Sequence, residues 1–438
     1  MNNLLPPVKI TNKSTNFADE MNQATKDFIR EHAEADFHQL ALRGTKDPEV
    51  DLTFALEQIA GRQMARTKIP SWASVEGIIY PPHLSMEQCS SEQTARYKAR
   101  IAGKGALVVD LTAGFGVDIA FLSQGFRRAV HVERQVQLCA ISSENYKRLG
   151  LRHIEVVCGD GTDYLHRLNH ADLIYLDPAR RDVHGSRTYG IADCTPNVLE
   201  ILDEMLEKAD RIMLKLSPML DWRKAVADIS EKREVRSEKC LAQVNAVHIV
   251  SVDNECKELL VEVRSEEVKS EKCVTSNGNK TLRVVCVNLL LGDSMERFEF
   301  NALSPVHVST PTSHFSLLTF HFLFEPNASI MKAGCFVLLE QRFGVRQLDC
   351  NSHLFVSDTD IPDFPGRRFI IEKTTSMNKH ELKAVLAGID RANITVRNFP
   401  MSVAELRKKL KLKDGGDVFI FATTVANRGH QLFICRKI

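Results

Sequence analysis

The 438-residue chain has no run of 18 or more apolar residues, no cysteines spaced C-x-x-C, and almost no net charge. The missing apolar run argues against a membrane-spanning helix. The N-terminal residues 1–7 lack the charged segment followed by an apolar one that is typical of a secretory signal. We therefore expect a cytoplasmic protein that neither spans a membrane nor carries a secretory signal.

The cysteines and the charge balance exclude further classes. Eleven cysteines, an odd number without a C-x-x-C pair, argue against a disulfide framework and a zinc ribbon, and no metal is expected. Lys and Arg number 57 against 56 Asp and Glu, so any RNA-binding site must be local. The length suggests about three domains, and 44% hydrophobic residues suffice for sizeable cores.

An apolar run that ends in an acid and enters a glycine turn stands at residues 108–118, V-V-D-L-T-A-G-F-G-V-D. Asp110 ends the predicted strand, and Gly114 and Gly116 provide backbone without Cβ where a ligand must lie close. The third glycine of the dinucleotide pattern is missing, because Ile119 stands at its position. The turn therefore favours S-adenosylmethionine over NAD, with Asp110 as the candidate for binding the methionine ammonium.

Three more strand-like runs follow, and each leads into an acid. Glu133 follows Asp110 at close to the roughly 20-residue offset of a carboxylate that binds ribose hydroxyls. Asp160 is the candidate for the adenine amine, and Asp177 stands where the transferred methyl should emerge. Segments with helical spacing between the runs predict the order β-α-β-α-β-α-β. This order predicts an α/β, doubly wound (Rossmann-like) sheet with its ligand crevice at the carboxyl ends of the strands.

The motifs D-L-T-A-G-F-G at 110–116 and D-P-A-R at 177–180 resemble the class I S-adenosylmethionine-dependent methyltransferases, in the branch that modifies RNA bases. The segment at 88–98, Q-C-S-S-E-Q-T-A-R-Y-K, is similar to the one that closes over the methionine end in such enzymes. Residues 193–197, 215–219 and 255–259 resemble a bacterial family with a C-terminal THUMP-like domain. The resemblance covers most of the chain and implies methylation of tRNA or rRNA.

The resemblance also implies a set of site residues. S-adenosylmethionine would be held by the segment before the first strand, the glycine turn and the strand-end acids: Thr94, Asp110, Thr112, Ala113, Gly114, Gly116, Asp118, Glu133, Asp160 and Gly161. Methyl transfer would occur at Asp177, Pro178 and Arg180. As a hypothesis from the residues beyond it, Arg181 and Arg187 grip the substrate backbone and Tyr189 stacks on it. Lys215 either neutralises a substrate phosphate or simply flanks a strand.

Two departures from related enzymes bear on the chemistry. Amino methyltransferases use D/N-P-P followed by an aromatic that stacks on the base, whereas this chain has Ala179 and Arg180, which puts an exocyclic amine acceptor in doubt. An arginine plane can instead stack on a base or hold a phosphate. Enzymes that methylate a pyrimidine carbon place a cysteine after the next strand, where this chain has Leu216-Ser217-Pro218. We therefore expect direct in-line transfer without a covalent adduct.

Apolar spacing and polar breaks divide the chain into four predicted domains. Residues 1–99 are a helical N-terminal domain and 100–265 the methyltransferase domain, which closes with a hairpin around Asp253-Asn254. Residues 281–362 are a ferredoxin-like α+β domain, and 363–438 a β-α-β-α-β-β module, the THUMP-like domain. This module carries a group of basic residues, Arg391, Arg397, Arg407, Lys408, Lys409, Lys411 and Lys413. They form either a phosphate-contacting stripe or a solvated surface, and no aromatic stacking pair interleaves with them.

Other functions stay open at this point. The chain is alternatively a methyltransferase of a small molecule or a protein, or a non-catalytic RNA-binding protein that retains a cofactor pocket. Methylation of metabolites without the C-terminal domain would support the first alternative. Cofactor binding without transfer to any RNA would support the second.

Overall fold

The computed structural model describes residues 8–9, 21–180, 190–231, 240–267, 281–292, 294–302 and 320–438. It divides into two compact units, residues 1–247 with 258–282, and residues 248–257 with 283–438. Within the described ranges, none of the helices has both the length and the apolar character that crossing a bilayer requires.

Six helices lie within residues 21–102 of the first unit. Their bounds are α1 Gln23–Glu31, α2 Phe37–Arg43, α3 Leu52–Lys68, α4 Pro70–Ala73, α5 His83–Gln88 and α6 Glu92–Ala102. Asn22, Asp51 and Ser91 cap α1, α3 and α6, since each side chain accepts a backbone N–H of the first turn. α3 ends at Lys68, and Pro70 occupies the first turn of α4, where a missing N–H costs nothing. The predicted helical N-terminal segment is thus confirmed over the described residues.

The larger sheet includes eight strands in the order β1-β4-β3-β2-β5-β8-β10-β9, all in the first unit except residues 248–257 of β9 and β10. Its strands are β1 Val8–Lys9, β2 Gly105–Asp110, β3 Phe126–Glu133, β4 Ile154–Cys158, β5 Leu173–Leu176, β8 Arg211–Leu216, β9 Cys240–Val252 and β10 Glu255–Glu267. The five neighbouring strands β4, β3, β2, β5 and β8 are mutually parallel. β1 pairs antiparallel with β4, and β10 pairs antiparallel with β8. The doubly wound α/β sheet predicted from the sequence is confirmed.

Helices alternate with the parallel strands. They are α7 Val117–Leu122, α8 Val136–Arg148, α9 Gly161–Arg167, α10 Val198–Lys208 and α11 Trp222–Glu231. Two short strands, β6 Ala179–Arg180 and β7 Cys194–Thr195, pair antiparallel beyond the end of β5. The hairpin of β9 and β10 turns at Asp253 and Asn254, both at positive φ. The alternating order places every β-to-α turn at one edge of the sheet.

The second unit holds another sheet, of order β14-β15-β13-β16-β19-β18-β17. Its strands are β13 Phe322–Pro326, β14 Arg346–Gln347, β15 Phe355–Ser357, β16 Gly366–Ser376, β17 Asn393–Arg397, β18 Val418–Val425 and β19 Gly429–Lys437. Its helices are α12 Ala328–Ala333, α13 Phe336–Phe343, α14 Lys379–Val385 and α15 Val403–Leu410. From β16 to β19 the order is the predicted β-α-β-α-β-β.

Two details of the second unit refine the predictions. Apolar runs on both sides of Gly292-Asp293 predict a hairpin, and it is present, with β11 Arg283–Leu289 antiparallel to β12 Met295–Asn301. The apolar spacing of residues 329–342 predicts one helix, and the structure has two in its place, α12 and α13. α12 ends because Gly334 adopts a left-handed φ of 68°, a conformation that terminates helices and that a glycine adopts without a Cβ penalty.

Candidate active site

The acids predicted at strand ends lie along one edge of the parallel sheet. Asp110 ends β2, Glu133 ends β3, Asp160 follows β4 and Asp177 follows β5. The register aligns Asp110 with His131 and with Tyr175 on the neighbouring strands. Because parallel strands end at the same edge, the fold brings together carboxylates that are far apart in sequence.

The glycine turn uses its two glycines for different purposes. Gly114 has a φ of 56° and a Cβ added there would meet no atom within 4 Å, so its open side can receive a ligand. Gly116 has a φ of 85°, and a Cβ there would collide with the Tyr146 hydroxyl. That hydroxyl donates to the Gly116 carbonyl at 3.1 Å and is bonded to His131 Nδ1 at 2.8 Å. Gly116 is therefore required for packing, and Gly114 for clearance.

Glu133 is buried and holds the glycine turn. Its Oε2 accepts the Gly114 N–H at 3.0 Å, and its Oε1 accepts the N–H of Gln135 at 2.8 Å. A carboxylate has about four lone-pair positions, so capacity for ribose hydroxyls remains. The backbone of the turn is fixed as well, since Ala113 N–H donates to the Val132 carbonyl at 3.0 Å.

Asp110 is 1% exposed and accepts the Thr112 N–H at 2.9 Å. Burial raises the pKa of Asp110 well above its ordinary value, and the negative charges of Asp118, Asp177 and Glu133 raise it further. A buried acid among other acids lacks compensating positive charge. A cationic ligand such as an ammonium would supply it.

Asp160 and Gly161 begin α9 at the end of β4. Asp160 is exposed, and its side chain caps the helix by accepting the Thr162 N–H at 2.8 Å. Gly161 lies against the Leu111 carbonyl so closely that a Cβ would overlap it. Its role in the structure is to let α9 approach the turn after β2.

Thr94 and Thr112 have internal partners. Thr94 is 3% exposed, and its hydroxyl donates to the Ser91 carbonyl at 3.1 Å in the first turn of α6. The Thr112 hydroxyl accepts the Asp177 N–H at 2.7 Å and so ties the glycine turn to the D-P-A-R segment. Contact of these two residues with the cofactor stays a prediction.

Asp177 is paired with Lys215 of β8 at 2.5 Å between Oδ2 and Nζ. Asp177 is 37% exposed and Lys215 14% exposed, so the pair lies at the surface of the site. Burial by itself would lower the pKa of Lys215, but the charges of Asp177, Asp118 and Glu258 outweigh it and raise that pKa above its ordinary value. Lys215 therefore keeps a positive charge beside the Asp177 carboxylate.

The last two residues of the D-P-A-R segment belong to a separate two-stranded sheet and not to the parallel sheet. Pro178 is buried, and Ala179 and Arg180 pair in register with Thr195 and Cys194. This pairing places Cys194 and Thr195 beside Ala179 and Arg180 of the predicted site. Arg181, Arg187 and Tyr189, expected to bind the substrate, lie outside the described residues.

Asp118, in the first turn of α7, belongs to a buried charge cluster. Its Oδ2 accepts from Ser90 Oγ at 2.8 Å and from Tyr175 Oη at 2.7 Å, and its Oδ1 lies 3.1 Å from Lys98 Nζ. Lys98 also donates to Glu258 at 2.7 Å. Sequence reasoning assigned no role to Lys98 or Glu258. The one sequence feature that could have indicated a buried charge is that Glu258 stands directly before the apolar run Leu259–Leu260–Val261 of β10.

Val136 is a further residue that sequence reasoning missed. It is the first residue of α8 and 62% exposed, one of few large apolar side chains exposed in the described part of the chain. It follows Glu133 by three positions, at the same edge of the sheet as the acids. An exposed apolar side chain there can cover the face of a planar ring.

The basic residues of the C-terminal module divide into two groups. Arg397 pairs with the buried Glu325 at 3.0 Å, and Arg407 donates to the Ala392 and Lys413 carbonyls at 2.9 and 3.0 Å. These two arginines are part of the packing. The other group has exposed side chains: Arg391, Lys408, Lys409, Lys411 and Lys413.

Three parts of the chain match models of known protein families. Family models match residues 95–184 (protein-L-isoaspartate(D-aspartate) O-methyltransferase), 322–365 (ferredoxin-like domain) and 366–437 (THUMP domain-like). The crystal structure of a candidate methyltransferase from Porphyromonas gingivalis W83 is 30% identical, with a TM-score of 0.77. The match covers 94% of this chain and 97% of that chain. No curated protein matches.

Two other solved structures are similar to a smaller part. One is a candidate methyltransferase from Streptococcus mutans in complex with SAH, 13% identical, with 40% of this chain and 97% of that chain covered and a TM-score of 0.28. The other is an rRNA methylase from Streptococcus thermophilus, 16% identical, with 40% and 96% covered and a TM-score of 0.27. At these TM-scores the similarity carries no argument about function.

Proposed function

Because the chain belongs to the family of S-adenosylmethionine-dependent methyltransferases with a C-terminal THUMP-like domain, we propose that it transfers a methyl group from S-adenosylmethionine to a base in RNA. The observation that carries the proposal is the pair of buried strand-end acids, Asp110 and Glu133, at a glycine turn whose Gly114 has open space beside it. Such a site demands a ligand with positive charge and hydroxyl donors.

The residues of the strand edge fit this cofactor. Asp110, buried among acids, would bind the ammonium, and Glu133 would accept the ribose hydroxyls. Asp160 would accept the adenine amine, and Val136 would cover the adenine ring. Bound S-adenosylmethionine supplies an electrophilic methyl group on a sulfonium. The open backbone at Gly114 provides the space beside these groups.

The acceptor side is formed by Asp177 and Lys215. In-line displacement needs an oriented lone pair more than a covalent nucleophile. Asp177 would accept a hydrogen from the acceptor nitrogen and hold its lone pair toward the methyl group. Lys215 would hold the Asp177 side chain in place and offer a donor to a base carbonyl or a phosphate. Arg180 would stack on the base or hold a phosphate in place of the missing aromatic.

The C-terminal module supports RNA as the substrate. Its match to the THUMP-like domain spans residues 366–437, and its exposed lysines include Lys408, Lys409 and Lys411 at the end of α15. Lysines that contact phosphates position an RNA without reading its sequence. We expect this module to supply affinity and the strand edge of the first unit to supply chemistry.

A protein substrate is the second candidate. The match of residues 95–184 to an isoaspartate O-methyltransferase family model favours a carboxylate acceptor, which Lys215 could attract. The paired Asp177 argues against it, since it would repel a second carboxylate at the same place.

Calorimetric titration of the purified chain with S-adenosylmethionine and S-adenosylhomocysteine tests the cofactor site. We expect micromolar binding that Asp110→Ala and Glu133→Ala abolish, whereas Asp210→Ala, an exposed acid just before β8 at the opposite sheet edge, leaves it unchanged. Tritiated methyl transfer to total RNA, with total protein in parallel, then identifies the acceptor. Label in protein alone would reject the RNA proposal.

A further inference from the structure

The cluster of Lys98, Asp118 and Glu258 is unusual in its burial. The side chain of Lys98 is 0% exposed, that of Asp118 10% and that of Glu258 3%. The three residues come from α6, α7 and β10, so the cluster joins three elements of the first unit. Buried ion triads of this kind are often no more stabilising than apolar side chains of similar volume. Stability alone is therefore a weak reason for the cluster.

The charges within the cluster do not cancel. Lys98 donates to Ser90 at 3.1 Å and to both Glu258 oxygens at 2.7 and 2.9 Å, and lies 3.1 Å from Asp118. Burial by itself would raise the pKa of Asp118, but Lys98, Lys215 and the bonds from Tyr175 and Ser90 hold it below its ordinary value. The cluster holds two carboxylates and the one ammonium of Lys98, while Lys215 is itself paired with Asp177, so the formal charges leave one negative charge.

That charge lies close enough to act on the predicted site. Asp118 stands two residues after Gly116, and the tyrosine that donates to it at 2.7 Å, Tyr175, pairs in register with Asp110 in the sheet. The charge of Asp118 contributes to the raised pKa of Asp110, and Asp118 and Glu258 both contribute to the raised pKa of Lys215. A charge in a low-dielectric interior is felt over several ångströms.

We infer that the cluster of Lys98, Asp118 and Glu258 sets the charge of the cofactor pocket, so that it prefers the cationic sulfonium of S-adenosylmethionine to the neutral thioether of S-adenosylhomocysteine. The inference rests on the proposed function. Lys98 acts as a positioning residue, since it holds both carboxylates in place and cancels one of their charges. The consequence is discrimination between donor and product.

The experiment measures the dissociation constants of the full chain for S-adenosylmethionine and S-adenosylhomocysteine by calorimetry. Glu258→Gln leaves Lys98 and Asp118 as a neutral pair, so the preference for the cation should fall about fivefold, the order expected for one charge near a site. Lys98→Met combined with Glu258→Gln restores one net negative charge and should keep the preference of the unmodified chain. Glu204→Gln, which breaks the Glu204–Lys208 pair of α10 at 2.7 Å, is the matched control and should change nothing.

The outcomes separate the inference from the proposed function. An unchanged preference in Glu258→Gln, or an equal fall in the double variant, would overturn the charge assignment. No binding of either nucleoside to the unmodified chain would reject the proposed cofactor, and the inference with it. Thermal melting checks that each variant is folded. If Glu258→Gln does not fold, Asp118→Asn removes the same charge from another element and must give the same fall.

Discussion

The first unit buries charged side chains beneath its strand ends, whereas the second unit turns most of its charge outward. Asp110, Glu133 and the cluster around Lys98 are all buried in the first unit. Among the described residues of the second unit, Glu325 is the buried carboxylate, and Arg367 and Arg397 both pair with it. Its sheet packs on apolar clusters that include Phe369, Phe421 and Phe433.

Buried charges in the first unit and exposed charges on the second unit are therefore expected to have different functions. Buried charge without full compensation is costly, so it persists where a ligand or a reaction uses it. Exposed lysines cost little and contribute affinity for a polyanion in a salt-dependent way. We therefore expect substitutions in the first unit to alter chemistry and cofactor binding, and substitutions on the second unit to alter RNA affinity.

The largest effect is expected for Asp177→Asn. The variant loses the carboxylate that we propose orients the acceptor, so methyl transfer to RNA should fall about 10³-fold while the affinity for S-adenosylmethionine stays within about twofold. Single-turnover transfer of tritiated methyl and calorimetry measure the two quantities. Asp210→Asn is the control, because that exposed acid lies before β8. Normal turnover of Asp177→Asn would remove Asp177 from the chemistry.

The two glycines of the turn should respond differently to alanine. Gly116→Ala must move Tyr146 and adopt a left-handed φ, so it should destabilise the ligand-free fold by about 2–4 kcal/mol and weaken cofactor binding at least tenfold. Gly114→Ala meets open space, so we expect a cost of about 1–2 kcal/mol from its φ together with weaker cofactor binding. Denaturant unfolding and calorimetry measure both. Equal losses of stability would contradict the division of roles.

Asp110→Asn should raise stability while it weakens binding. Because the pKa of Asp110 is raised in the folded state, the fold binds that proton more tightly than the unfolded chain does, and stability falls as pH rises above the ordinary value. The variant should therefore melt about 2–4 °C higher at pH 8 and lose this pH dependence. Its affinity for S-adenosylmethionine should fall about tenfold. Melting curves at pH 5 and pH 8 that match the unmodified chain would refute the assignment.

The smallest effect is expected on the second unit. Replacing Lys408, Lys409 and Lys411 together by alanine should weaken RNA binding about fivefold and reduce the slope of log affinity against log salt by roughly 2. Cofactor affinity and melting temperature should not change, because these side chains are exposed. Filter binding at several salt concentrations provides the measurement. Unchanged RNA affinity would mean that these lysines are solvated surface and that they do not contribute to RNA binding.

Local sequence predicted much of the fold. Apolar runs with acids at their ends predicted β2, β3, β4 and β5, because a strand and the turn after it are neighbours along the chain. The β-α-β-α-β-β module was predicted for the same reason. The break at Gly334 was not anticipated, since a glycine inside a helical pattern can be tolerated as well as terminating.

What the sequence determined by itself is the strand–turn–helix with Asp110, Gly114 and Gly116, and the row of acids that a parallel sheet gathers at one edge. Only the tertiary structure decided that Gly116 packs on Tyr146 and that Lys215 pairs with Asp177. It alone joined Lys98 to Glu258, 160 residues further along the chain. The physical reason is that such partners meet through packing of separate elements, so neither periodicity nor spacing records them.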